Sequence, residues 1–252
     1  MTQDIGARFA IETAEHEMTI AHDNGLYRHL QFRHTGNCYS GYYWFDLITV
    51  PGSLIFRGDG ESFVFARTED MFDFFRSSAW EGRPNVGYWA EKVTSDRDRL
   101  KRYDEDLFRQ ALEDHLVQRY EPEPVPEAVR EAVTEEILEA GYLGSEDEAL
   151  RLASEFAYYE NPDDRWKLTA RPDLQFTDVW EWPVRGYDWW FLWACEAILW
   201  GIGKYDEAHG RKSRYVAVPP PVVDVELPDS PETEPPRRSR PMVTVELPGG
   251  AS

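Results

Sequence analysis

Tyr42-Tyr43-Trp44-Phe45-Asp46-Leu47-Ile48-Thr49-Val50, closed by Pro51-Gly52, is aromatic and β-branched throughout, the composition of a strand with a turn behind it. On its N-terminal side, Asp23-Asn24-Gly25 is a tight-turn signal between Met18-Thr19-Ile20 and Leu26-Tyr27-Arg28-His29-Leu30-Gln31-Phe32-Arg33. On its C-terminal side, Leu54-Ile55-Phe56 and Phe63-Val64-Phe65 flank Gly58-Asp59-Gly60. Strands this close leave no room for crossover helices, so residues 17–67 read as an antiparallel meander. Residues 4–15 read as a short covering helix.

Helical signals follow. Thr68 is placed to cap a helix holding Met71, Phe72, Phe74 and Phe75, with Glu69 and Asp70 in its first turn. Leu100, Leu107, Ala111, Leu112 and Leu116 keep helical spacing within a segment running from Ser95 to about Tyr120, before Pro122, Pro124 and Pro126. Residues 127–140 and 145–159 read as two more amphipathic helices around Gly141 and Gly144. The last helix, residues 187–208, is apolar on nearly every face, which places it in the core. The expected fold class is α+β, a meander packed against C-terminal helices. One domain spans 1–217, with the sheet at 17–67 and helices at 68–210.

Beyond residue 217 lie 9 of the 17 prolines without either periodicity, so 218–252 reads as a disordered tail. It repeats V-x-V-E-L-P, with Val223, Val225 and Leu227 in one copy and Val243, Val245 and Leu247 in the other. Such a motif suits strand addition to a partner's sheet, and equally a duplicated low-complexity tail.

The formal net charge is −20, with charged residues at 29% and hydrophobic residues at 42%. Phosphate backbones repel such a chain, so direct nucleic-acid binding is not expected and a basic protein partner is favoured. The charge is uneven: residues 121–164 hold 14 acidic and 2 basic residues. Glu131, Glu135, Glu136, Glu139, Glu146, Asp147 and Glu148 could mimic phosphates in a partner's nucleic-acid groove. They read equally as a solvated helical face.

Cys38 and Cys195 form no metal-type pair, which fits a reducing compartment. The longest apolar run, Trp189 to Ile202, is 14 residues and contains Glu196, short of the roughly 20 needed to span a bilayer. With no secretory signal at the N-terminus, the expectation is a cytoplasmic protein without a membrane partner.

No G-x-S-x-G, P-loop, dinucleotide fingerprint, HExxH or EF-hand motif occurs, and no cofactor or metal is implied. Chemistry would have to come from a new site. His22, His29, Asp46 and Asp59 on the sheet are candidates for a metal or acid–base centre, with Arg28 beside them. The alternative is a solvated sheet face with cross-strand ion pairs. Asp46 shares a strand face with Trp44 and Ile48, and needs an Arg or hydrogen-bond donors if that face is inward but is ordinary if outward; Arg28 shares a face with Leu30 and Phe32. Glu196, within the most apolar helix, must be paired or protonated if buried.

His22-Asp23-Asn24-Gly25-Leu26-Tyr27-Arg28-His29-Leu30, Trp44-Phe45-Asp46-Leu47-Ile48-Thr49 with Pro51-Gly52, and Gly58-Asp59 together resemble a family of uncharacterised phage and prophage proteins. Asp70-Met71-Phe72-Asp73-Phe74-Phe75, Tyr88-Trp89-Ala90-Glu91-Lys92 and Trp200-Gly201-Ile202-Gly203-Lys204-Tyr205-Asp206 continue the pattern over residues 5–210. The resemblance implies a phage-encoded protein acting in the host cell and no particular activity. The expectation is an accessory protein that binds a host or phage macromolecule. A ligand-binding or enzymatic site on the sheet, or a minor virion component, are the other readings.

Overall fold

The computed structural model describes residues 5–36 and 42–217; Cys38 and the repeated V-x-V-E-L-P motif with its tail lie outside them. The fold is α+β. Helix α1, Ile5–Glu12, precedes a five-stranded antiparallel meander: β1 His16–Asn24, β2 Tyr27–His34, β3 Phe45–Val50, β4 Ser53–Gly58 and β5 Ser62–Ala66. Strand order follows chain order, as the short connections require.

Alternation sorts the strands into two faces. Leu30, Phe32, Phe45, Leu47, Leu54, Phe56, Phe63 and Phe65 form the inner face and are buried. Helix α2, Met71–Ser78, helix α3, Val86–Ala90, and the late helix from Trp189 complete this core. Each large side chain fully buried here contributes about 1.5–3 kcal/mol. The β5 edge is covered, with the Thr94 amide donating to the Val64 carbonyl at 2.8 Å and the Ala66 amide to the Lys92 carbonyl at 2.9 Å.

Four expectations for the helical half change. The cap of α2 is Asp70, whose carboxylate accepts from the Phe72 amide at 2.8 Å. Thr68 is otherwise engaged, its hydroxyl donating to the Asp70 carbonyl at 3.0 Å. Nor is the segment from Ser95 one helix. A 3₁₀ turn at Arg97–Arg99 leads to a short strand, β6 Lys101–Tyr103, and helix α4, Glu105–Tyr120, starts behind its own cap, Asp104. Residues 127–140 divide into α5, Glu127–Val133, and a π turn, Thr134–Leu138, where the Glu139 amide reaches five residues back to Thr134. Helix α6, Glu146–Glu155, stops short of 159 because Ala157–Tyr158 (β7) pairs with Leu174–Gln175 (β8).

The largest difference concerns organisation. A fourth short strand, β9 Arg185–Tyr187, pairs antiparallel with β6, then helix α7, Trp189–Ala208, returns to the core of the sheet. Residues 104–184 are therefore an insertion whose two ends meet at the β6–β9 neck. They have a hydrophobic core of their own, including Phe108, Leu112, Leu116, Val133, Ile137, Leu150, Phe156, Phe176 and Trp182. The expected helical layer against the sheet is supplied by α1, α2, α3 and α7, while α4 to α6 pack on each other. Arg102 ties the neck to the body through Asp188 at 2.7 Å and Glu61 at 3.3 Å. Arg185 ties it to the insertion through Glu146 at 2.8 Å, and the Tyr103 hydroxyl donates to the Leu143 carbonyl at 2.8 Å.

Candidate functional site

Alternation carries Asp46 to the outer face of β3, yet its side chain is only 1% exposed. Its cover is built from neighbouring strands. Arg33 Nη2 lies 2.7 Å from Oδ1, while Arg57 Nε and His29 Nε2 lie 3.3 Å and 3.2 Å from Oδ2. Both guanidinium groups also sit over the Trp44 ring, at 4.8 Å and 5.3 Å from its centroid, within cation–π range. A carboxylate shielded this way must be paired to persist, and here it fixes two arginines and an imidazole in place. His29 and Asp46 are thus brought together. His22 is exposed on β1 beside His29, and Asp59 is exposed in the β4–β5 turn, accepting from the Tyr43 amide at 3.3 Å. Glu196 is buried on α7, across the sheet from Asp46.

Arg28 faces inward with Leu30 and Phe32, so the structure separates it from the His29–Asp46 group on the outer face beside which the sequence reading set it. It forms a two-pronged pair with Asp70, Nη1 to Oδ1 at 3.0 Å and Nη2 to Oδ2 at 2.9 Å. The Phe72 ring lies under the Arg28 guanidinium at 4.7 Å, and Arg76 approaches the same ring at 5.7 Å. Arg76 in turn forks onto Asp206 at 2.9 Å and 2.7 Å. The Tyr205 hydroxyl donates to both oxygens of Asp23, and His209 Nε2 lies 3.1 Å from Asp23 Oδ2. Burial raises the Tyr205 pKa. Asp23 and Arg28, Asp70 and Asp73, and Tyr205 and Asp206 thus come together from three distant segments of the chain. Of these only Arg28 stood among the site candidates on the sequence, and Asp23 was read as part of a turn. Tyr205, Asp206 and His209 carried no local signal, because their partners lie up to 186 residues away.

The acidic residues lie on the insertion. Residues 104–184 hold 22 acidic and 7 basic side chains, a net −15 of the chain's −20. Glu136, Glu146 and Glu148 are spent on Arg165, Arg185 and Arg151, at 2.9, 2.8 and 2.7 Å. Glu131, Glu135, Glu139 and Asp147 are exposed. The first three follow one another at four-residue intervals, and the π turn, with its wider pitch, keeps them along one ridge.

Among the described residues, no group of three or more His, Cys, Asp or Glu side chains is placed to hold a metal ion. No described helix is long and apolar enough to cross a membrane. No protein-family model, curated protein or solved structure matches the chain.

Proposed function

We propose that this chain is a phage-encoded accessory protein that works in the host cell by binding a basic macromolecular partner, without chemistry of its own. The observation that carries the reading is the concentration of charge: an insertion with its own core, joined through a two-stranded neck, holds a net −15. Carboxylates repel one another, so concentrating them costs stability. Segregating them on a separate module keeps that cost away from the sheet and presents the charge to a partner. A surface of this kind competes for a cationic nucleic-acid groove and draws on the same counterion release. The partner is therefore a basic protein, and a nucleic-acid-binding one fits best.

The test is capture from infected-host lysate with the full chain and with Glu131→Gln, Glu135→Gln, Glu139→Gln and Asp147→Asn combined. The reading expects a stoichiometric partner whose retention falls with salt and with the four substitutions. Capture undiminished by them would remove it.

A second reading rests on the 3.2 Å approach of His29 to Asp46. A buried carboxylate orienting an imidazole beside two arginines suits acid–base work or the binding of a small anion. It places a site on the outer face of the sheet, and it predicts that His29→Ala changes ligand response without changing partner capture.

A further inference from the structure

After α7 the chain turns back as a strap, residues 211–216, against the turn between α2 and α3. The strap is built into the body. The Val216 amide donates to the Gly82 carbonyl at 3.0 Å, and Arg214 Nη1 donates to the Arg76 carbonyl at 3.4 Å. Gly82 has φ +79°, and a Cβ there would come within 2.5 Å of the Arg214 carbonyl oxygen, so only glycine admits the strap. Between strap and helix lies a cleft of about 740 Å³ lined by Arg76, Ser77, Ala79, Glu81, Gly82 and residues 212–216. That size falls in the range of small-ligand sites.

The charges in the cleft are not balanced. Arg76 is neutralised by Asp206 and Asp73, and Arg211 lies 4.0 Å from Asp206. Lys212 and Arg214 pair with no carboxylate among the described residues, and Glu81 is the one acid on the lining. Near the end of α2 the Phe74 carbonyl accepts from the Ser77 and Ser78 hydroxyls, the Phe75 carbonyl from the Ala79 amide, and the Arg76 carbonyl from Arg214. Ser213 adds a hydroxyl, since its oxygen accepts from the Tyr215 amide and its proton is left to donate.

The geometry points to an oxyanion-binding site at this cleft, with Lys212, Arg214 and Ser213 as the donors and a phosphate group as the ligand. An ammonium, a guanidinium and a hydroxyl supply donors of differing shape, which suits a tetrahedral oxyanion better than a planar carboxylate. Two cations with no carboxylate partner among the described residues, held on a strap that glycine fixes to the body, incur little reorganisation on binding. Trp80, 71% exposed, stands in the chain between two lining residues, Ala79 and Glu81, and is the side chain on which an aromatic ligand would stack.

The test is calorimetric titration of the full chain with inorganic phosphate at constant ionic strength, against Lys212→Gln/Arg214→Gln. Both side chains are exposed, and melting in chloride checks that the variant folds. Losing two charge-assisted donors should weaken phosphate binding by about tenfold or more. Equal affinity in the two proteins, or no phosphate binding by the wild type, would overturn the proposal. Adenosine monophosphate, tested beside phosphate, separates the sources. Tighter binding that is lost in Trp80→Ala identifies an aromatic phosphate ester, and equal binding identifies free phosphate, either of which supports the site.

Discussion

Arg28 and Asp70 meet fork to fork, at 3.0 Å and 2.9 Å, across 42 residues of chain. One stands on the inner face of β2 and the other caps α2, so a single pair fixes the helix to the sheet. Asp70 does two jobs, holding Arg28 and accepting from the Phe72 amide. Asp70→Ala should lower stability by about 2–4 kcal/mol, since it removes a cap and strands a buried cation. The range is set below that of a fully buried pair because the Asp70 side chain keeps 21% exposure. Asp70→Asn, which keeps the cap and loses the charge, should fall between. Urea unfolding of the three proteins checks the order, and a loss under about 0.5 kcal/mol for the alanine variant would contradict it.

A second prediction concerns His16, which is buried at the start of β1 with Nε2 against the Tyr43 carbonyl at 3.1 Å. Burial lowers its pKa below 6.5, with His34 and Arg33 acting in the same direction and the Tyr43 contact opposing. The folded state therefore favours the neutral ring. The contribution of His16 is fully present above pH 6.5 and is lost as pH falls from 6.5 through the folded value. Denaturation of wild type and His16→Gln from pH 5 to 8 should show the wild type losing ground to the variant on acidification. A difference independent of pH would contradict the assignment.

Gly201 supplies a third. It lies on α7 where the helix meets the sheet, and a Cβ there would lie 2.8 Å from Leu47 Cδ1 and 2.9 Å from the Phe32 ring. Alanine favours helix by up to about 1 kcal/mol. Overpacking in a filled core costs about 1–3 kcal/mol, so Gly201→Ala should destabilise, and a raised melting temperature would contradict the packing described.

The neck makes a fourth. Residues 101–187 carry a complete core and their own closing strands, so they should fold alone, with helical circular dichroism and a cooperative thermal transition. Noncooperative melting would show that the insertion depends on the body.

Much of this was legible in the sequence where interactions are local. Alternation in Leu30 to Phe32 and Phe45 to Leu47 set the inner face, and the turns Asn24-Gly25 and Pro51-Gly52 set the strand order. Arg28 was placed on the face of Leu30 and Phe32, and Asp46 on that of Trp44, by the same rule. What stayed hidden depends on distant pairing. Lys101–Tyr103 is too short to show alternation, and its partner lies beyond an 81-residue insertion, so 95–120 read as one helix and the module as part of one layer. Thr68 and Asp70 are both good caps, and only the fold, through Arg28, decides between them. Tyr205 and Asp23 meet across 182 residues, with no trace in either segment.

The central claim is that residues 104–184 carry the binding. The most direct measurement is capture from infected-host lysate by three proteins side by side: the full chain, residues 101–187 alone, and the chain in which a short glycine linker replaces 104–184. The account predicts that the full chain and the module retain the same basic partner, released by salt, and that the body alone retains none. Capture by the body alone, with the module empty, would contradict it.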